Sequence, residues 1–220
     1  MYDFHTHTSL SDGVLSPIEL IRRAAASGYQ AVGLTDHLGI GSLDRVLAEV
    51  IADCALAREQ WGIMAIPGVE LTHLPARAIA GVARKAKEKG AWLVIVHGET
   101  IVEPVERGTN RAAVQCPDVD ILAHPGLLTL EEARLAAANN IFIEVSARKG
   151  HSLTNGHVVR IASAAGAKLI LNSDAHDESD LLTPLLARNI LLGSGLPEGE
   201  LDRVLSLNAR ALMERLQPKV

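Results

Sequence analysis

The feature that most constrains this chain is an alternation repeated along its length. Short apolar runs, each too brief for a helix, are separated by longer amphipathic stretches with helical spacing. The apolar runs fall at residues 2–5, 31–34, 64–69, 92–96, 119–123, 141–145 and 168–171. The spacing between them predicts helices over 17–27, 43–60, 76–89 and 130–139, and a loop followed by a helix over 151–165. Gly28, Gly90 and Gly166 stand where three of these helices should stop. Ser16-Pro17-Ile18-Glu19 and Thr129-Leu130-Glu131-Glu132 have the form of capping boxes. The segment 99–113 holds Pro104, Gly108 and several charges, and reads as an active-site loop with a short helix. Helical segments at 181–188, 200–205 and 208–216 close the chain, with 190–192 a candidate rudimentary eighth strand.

Seven strand–helix units without a break in composition predict one α/β domain over residues 1–220 with a parallel sheet. Short connections and right-handed crossovers put the helices outside, so a closed or nearly closed barrel is expected. An open doubly wound sheet is the competing architecture. Aromatic residues make up only 3% of the chain, so its core must be built mainly from Ala, Val, Ile and Leu.

Charge and cysteine usage narrow the function classes. The net charge is −5, and the densest cationic run, Arg84-Lys85-Ala86-Lys87-Glu88-Lys89, reads as the solvated face of a helix. A nucleic-acid partner is therefore not expected. Cys54 and Cys116 are far apart and form no CxxC motif, which argues against a disulfide framework and a thiolate zinc site. Two reduced thiols fit a cytoplasmic protein. The chain opens directly on a strand with no signal peptide, and no apolar run approaches the ~18 residues that span a bilayer, so no membrane association is expected.

Chemistry concentrates at the strand ends. His5-Thr6-His7, Thr35-Asp36-His37 and Asp174-Ala175-His176 each lie at or just past the end of an expected strand. Glu70, His97 and His124 directly follow three further apolar runs. In parallel α/β proteins the carboxyl ends of strands are where sites are built. Neutral imidazoles and carboxylates bind divalent transition metals at about 2 Å. His5 and His7, two apart on extended chain, point to the same side and can share one ion, and Asp174 and His176 repeat that spacing. So many ligand-type groups delivered by buried strands to one rim would be costly unless cations satisfied them. A polynuclear metal site and hydrolytic chemistry follow.

At these residues the chain resembles the polymerase and histidinol phosphatase (PHP) family of metal-dependent phosphoesterases. The matching segments are His5-Thr6-His7-Thr8-Ser9-Leu10-Ser11-Asp12-Gly13, Leu34-Thr35-Asp36-His37, Gly68-Val69-Glu70, Val96-His97, Leu122-Ala123-His124-Pro125-Gly126 and Asn172-Ser173-Asp174-Ala175-His176. The resemblance implies a distorted (β/α)7 TIM-like barrel holding up to three divalent ions: zinc, manganese or iron, with magnesium also admitted. It implies one ion on His5, His7, Glu70 and Asp174, and a second sharing Glu70 and adding His97 and His124. A third would take Asp12, His37 and His176. Asp12 replaces a His of some family members, so the third site can differ in metal or affinity. The implied reaction is attack on phosphorus by a metal-activated hydroxide, with Asp174, His176 and Arg148 carrying the chemistry.

Phosphate calls for further cationic partners. Arg148 and Lys149 follow the sixth apolar run and should stand on the same rim. Arg107 and Arg111, in the loop after His97, and His73, shortly after Glu70, are weaker candidates for substrate contact, and Arg77 is similar. Glu144 could act through a ligand, and Asp36 is expected to turn outward or orient a neighbour. His151 and His157 share a Gly- and Asn-containing loop, where His151 could meet substrate and His157 has the more superficial role. Cys116 reads as packing.

The expected function is hydrolysis of small phosphomonoesters, with histidinol phosphate as the nearest named example. A phosphodiesterase or nuclease acting on short nucleotides shares the same metal chemistry. A non-catalytic polymerase- or RNA-associated module is opposed by the intact ligand set and acidic charge. A metal-dependent amidohydrolase would want a bridging Lys at a strand end, and none stands there.

Overall fold

The computed structural model describes residues 1–216, so the last four residues of the expected 1–220 domain lie outside the described residues. The strands are β1 (Tyr2–Thr6), β2 (Ala31–Leu34), β3 (His37–Leu38), β4 (Met64–Leu71), β5 (Leu93–His97), β6 (Ile121–Ala123), β7 (Phe142–Ser146) and β8 (Leu169–Asn172). All pairings are parallel, in the order β1-β2-β4-β5-β6-β7-β8, and the two-residue β3 continues the β2 line along β4. The result is a nearly closed, distorted (β/α)7 barrel. The helices α1 (Pro17–Ala26), α2 (Leu43–Trp61), α3 (Ile79–Glu88), α4 (Thr109–Gln115), α5 (Leu130–Ala138) and α6 (Asn155–Ala165) connect its strands, and α7 (Pro184–Gly193) and α8 (Asn208–Leu216) follow the last.

Distortion concentrates at the seam between β8 and β1. One bridge, Thr6 to Ala175, joins them, with His7 N–H donating to Ala175 O at 2.8 Å. Asp174 N–H donates to His5 O at 2.9 Å, and side chains add to the closure. Asn172 Oδ1 accepts from Phe4 N–H at 2.9 Å, and Asp3 Oδ1 accepts from Ser173 N–H at 3.1 Å. These bonds satisfy backbone donors that a regular ladder would otherwise pair.

Two apolar clusters divide the core. The larger lies between the sheet and the surrounding helices. The smaller fills the barrel itself with Phe4, Ile66, Ile95, Ile121, Phe142 and Ile170, and Leu212 and Leu216 of α8 close its lower end. At that end Asp120 fixes α8, accepting from Lys87 Nζ at 2.6 Å, Val94 N–H at 2.8 Å and the Arg215 guanidinium at 2.8 Å. The open upper end belongs to the carboxyl termini of the strands.

Several expectations are corrected. Residues 190–192 form no strand: Thr183 caps α7 by accepting from Leu186 N–H at 3.2 Å, Pro184 opens the helix, and it runs through them to Gly193. Ser16 makes no side-chain cap bond, and Glu19 pairs with Arg23 at 2.9 Å, so the box does not form. The second capping box, at Thr129 and Glu132, forms in full. The helix expected over 76–89 begins as a separate 3-10 turn, Ala76–Ala78.

Candidate metal centre

Strand parity accounts for part of the site. Met64, Ile66, Gly68 and Glu70 alternate toward the barrel interior along β4, as do Leu93, Ile95 and His97 along β5. Glu70 and His97 are thus the last inward residues of their strands, placed by period two alone. Two other ligand-type groups break the parity. Phe4 faces the interior, so His5 and His7 should face out, but the β1–β2 register shifts between Asp3 and Thr6. This bulge re-aims both imidazoles inward. On β6, Ile121 and Ala123 face inward, and His124 follows with φ of 23°, which turns its ring back into the barrel mouth. Asp174 sits at φ of 55°. Neither is glycine, and such backbone strain is held where the surroundings over-determine it, typically at functional sites.

Eight of the nine histidines meet at this rim: His5, His7, His37, His73, His97, His124, His151 and His176. His157 is the exception, facing Leu128 O at 2.8 Å. Among the described residues, five groups of donor atoms each lie within 4.8 Å of one another: His5–His7–Asp174, His7–Asp12–His37–His176, His97–His124–His151, His5–His124–Glu144 and His73–His97–Glu103. Across them nitrogen–oxygen separations recur: His5 Nε2 to Glu70 Oε1 is 3.3 Å, and His7 Nε2 to Asp174 Oδ1 is 3.2 Å. His124 Nε2 to Glu70 Oε1 is 3.4 Å, and His176 Nε2 to Asp12 Oδ1 is 3.2 Å. An ion with ligands at ~2.0 Å in tetrahedral array spaces them ~3.3 Å apart. Yet His5 Nε2, both ring nitrogens of His7 and of His124, and Glu70 Oε1 are buried without a hydrogen-bond partner. Orphaned buried polar atoms at ligand-to-ligand spacing, from imidazoles and carboxylates only, fit divalent metal ions.

The surroundings orient the donors. His5 Nδ1 lies 2.8 Å from Glu144 Oε2, which also accepts from Asn172 Nδ2 at 2.8 Å, and the Glu144 carboxylate accepts from His124 N–H at 3.3 Å. This fully buried carboxylate fixes the tautomer that leaves His5 Nε2 free for an ion. Nδ1 of His97 faces Gly98 O at 3.2 Å, and Nδ1 of His176 faces Asp174 O at 3.0 Å, with the same consequence. Asp36 does not turn outward. Its carboxylate accepts from Thr8 N–H at 2.8 Å, Thr8 Oγ1 at 2.8 Å and Ser11 Oγ at 2.6 Å, tying down the loop that carries Asp12.

Electrostatics suit the task. Burial pushes His7 down to about 3 and lowers His124, so both stay neutral. Burial would raise Glu70 and Asp174, but His5 and the other imidazoles around them outweigh it and hold both well below the usual carboxylate range. Burial opposes charge on His5, and the Glu144, Glu70 and Asp174 carboxylates outweigh that and lift it well above the usual imidazole range. Cations bind neutral imidazoles and ionised carboxylates, so His7, His124, Glu70 and Asp174 are ready for an ion, while at His5 the ion must displace a proton.

The nine ligand-type residues anticipated from sequence, His5, His7, Asp12, His37, Glu70, His97, His124, Asp174 and His176, are brought together. Arg148 stands half-buried on the rim and donates to Asp174 O at 3.3 Å, with Lys149 exposed beside it. Arg148, Lys149, Ser173, Ser179 and Leu186 line an adjoining cleft of about 460 Å³. His73 is exposed at the margin, 3.4 Å from Glu103 Oε2. Two of the substrate-contact candidates are not brought in. Arg111 lies on the outer face of α4 and pairs with Glu131 at 3.0 Å, and Arg107 is exposed where its loop turns into that helix. Glu103 was not anticipated. Its carboxylate reaches His97 Nε2 at 3.1 Å and His151 Nε2 at 3.2 Å, from a loop with no periodic pattern to mark it.

Barrel and rim together define a metal-dependent phosphoester hydrolase of the barrel type. The chain belongs to the PHP domain family, whose model matches residues 3–218. An uncharacterized protein of Methanocaldococcus jannaschii is 43% identical over 216 residues, 98% of this chain and 99% of that one. A 5'-3' exoribonuclease of Haemophilus influenzae is 41% identical over 71 residues, 32% of this chain and 23% of that one. Among solved structures, histidinol phosphate phosphatase of Lactococcus lactis, complexed with zinc, L-histidinol and phosphate, superposes with a TM-score of 0.58. It is 15% identical, with 89% of this chain and 94% of that one covered, a likeness of fold. No helix among the described residues is long and apolar enough to cross a membrane.

Proposed function

We propose that this metal-dependent phosphoesterase hydrolyses small phosphomonoesters, and that three divalent ions occupy the rim. The observation that carries the reading is the set of buried, unpartnered donor atoms on His5, His7, His124 and Glu70, spaced as ligands are around a metal. In this reading His5, His7, Glu70 and Asp174 hold one ion, Glu70, His97 and His124 a second, and Asp12, His37 and His176 a third. Bound ions supply Lewis acidity and a water-derived nucleophile at neutral pH.

The chain's own residues do the rest. Glu144 and the carbonyls of Gly98 and Asp174 hold the imidazoles in the tautomer that presents Nε2. Arg148, anchored on Asp174 O, offers a guanidinium to the phosphate, and Lys149 extends the positive charge toward the adjoining cleft. Exposed apolar side chains stand close in sequence to the ligand-type residues: Val14 two residues after Asp12, Ile40 three after His37, Val102 beside Glu103, Leu127 three after His124 and Leu153 two after His151. Such a rim suits a small ester with an apolar or mixed leaving group, as in histidinol phosphate, and offers little to a polyanionic strand.

The exoribonuclease likeness over 71 residues keeps a second reading in play, cleavage of short nucleotides. One assay separates the two. Mn²⁺-loaded protein is offered an aryl phosphomonoester, its diester analogue and histidinol phosphate. Turnover of monoesters without the diester is expected. Turnover of the diester alone overturns the proposal in favour of the nuclease, and no turnover with ions bound points to a binding module. His7→Ala and Asp174→Ala should each abolish activity, and full activity in either overturns the ligand assignment.

A further inference from the structure

The nine residues carried by the family motifs leave two ions with three ligands each, and for the second of the three ions one of those is shared. The second ion would have only Glu70, His97 and His124, and Glu70 is shared with the first. Around that position the structure gathers two more donors. His151 is buried at the start of the 3-10 turn His151–Thr154, which follows Gly150 at φ of 94°. Its ring lies 3.9 Å from that of His124, centroid to centroid, and donor atoms of His97, His124 and His151 all lie within 4.8 Å of one another. Both nitrogens of His124 are buried and unpartnered there.

Glu103 approaches His97 and His151 from the other side, and by donor spacing it groups with His73 and His97. Its two oxygens diverge, Oε2 to His97 Nε2 at 3.1 Å and Oε1 to His151 Nε2 at 3.2 Å. Both separations are those of neighbouring ligands around an ion with bonds of ~2.0 Å. Its position is built. Glu99 Oε1 accepts from Gly108 N–H at 2.9 Å and Asn110 N–H at 3.0 Å, pinning both ends of the loop that carries it. Val102 packs over Gly150, at a distance of 3.5 Å from the place a Cβ there would take, so the two loops are in contact.

We propose that His151 and Glu103, neither among the nine motif residues, are ligands of a divalent cation held together with His97 and His124. His151 is buried and belongs to a turn against the barrel. Glu103 is half-exposed on a loop, and is the ligand an incoming anion can displace. The inference rests on the metal centre and not on which ester is cleaved.

The test is cation binding, read with Co²⁺ alone. Equivalents bound and their affinities are measured by visible absorption in competition with a chelator, for wild type, His151→Gln, Glu103→Gln and His157→Gln. One equivalent should weaken by about 10–100-fold in His151→Gln and by about tenfold in Glu103→Gln, with a change in its absorption band, while His157→Gln matches wild type. Melting of the cation-free proteins checks folding. Glu103→Gln lies on a loop and carries the test if His151→Gln does not fold. Wild-type stoichiometry, affinity and spectrum in both variants would overturn the inference, as would a wild type that binds no Co²⁺. A weakened equivalent in His151→Gln beside a wild type inactive on phosphomonoesters leaves this inference standing and removes the substrate reading.

Discussion

Replacing Gly13 by Ala should cost the protein one cation. Gly13 follows Asp12 in the turn after β1, where its N–H donates to Thr8 O at 2.9 Å. A Cβ at this position would lie 2.4 Å from His7 O and 2.6 Å from His7 C, both backbone atoms, whereas ordinary contact begins at 3.4 Å. The turn must therefore recoil by about 1 Å, since backbone on both sides has no rotamer with which to give way. Asp12 travels with it. Metal–ligand distances tolerate about 0.2 Å, so a recoil of about 1 Å removes Asp12 from the group it forms with His7, His37 and His176. The expected loss is about 10–100-fold in the affinity of one ion, with the others retained. Isothermal titration with Mn²⁺ under chelator competition measures it. Gly39→Ala is the control, because a Cβ there meets nothing within 4 Å. A Gly13→Ala protein that binds all its ions like wild type would refute both the close approach and the role of Asp12.

Further outcomes follow from the same structure. Stripping the ions should lower the melting temperature, the free energy of stabilisation lost being about 2.7 kcal/mol per site for an ion at 100-fold over its Kd; identical melting with and without chelator would contradict the metal centre. Thr129→Ala should destabilise by about 1 kcal/mol in denaturant titration, while Ser16→Ala, whose side chain makes no cap bond, should be close to neutral. Asp120→Asn should cost about 1.5–3 kcal/mol by loosening Lys87 and Arg215, and native amide exchange should rise in α8 before the rest of the barrel. Cys54 is buried and its thiol is pushed up to about 12 from 9.0. The folded form keeps this proton while the unfolded form loses it, so stability is intact below pH 9 and falls between 9 and 12. A thiol reagent at neutral pH should accordingly label Cys54 only after unfolding, and rapid labelling of the native protein would show the core to be open.

The sequence by itself determined the barrel and most of the centre. Apolar runs of strand length alternating with amphipathic stretches leave few topologies, and parity along β4 and β5 delivers Glu70 and His97 to the rim without further information. Tertiary structure decided what local periodicity does not encode. The bulge that turns His5 and His7 inward past Phe4, and the positive φ of His124 and Asp174, are imposed by neighbouring strands rather than by residue type. The pairs that orient or extend the centre join residues 139 positions apart, as in His5 with Glu144, or 48 apart, as in Glu103 with His151. Arg111 shows the converse, because a cation in the right loop is lost to Glu131 once α4 winds it outward. Strand spacing fixes which end of the barrel holds the chemistry. Which side chains meet there depends on chain closure and packing, and these exist only once the barrel has formed.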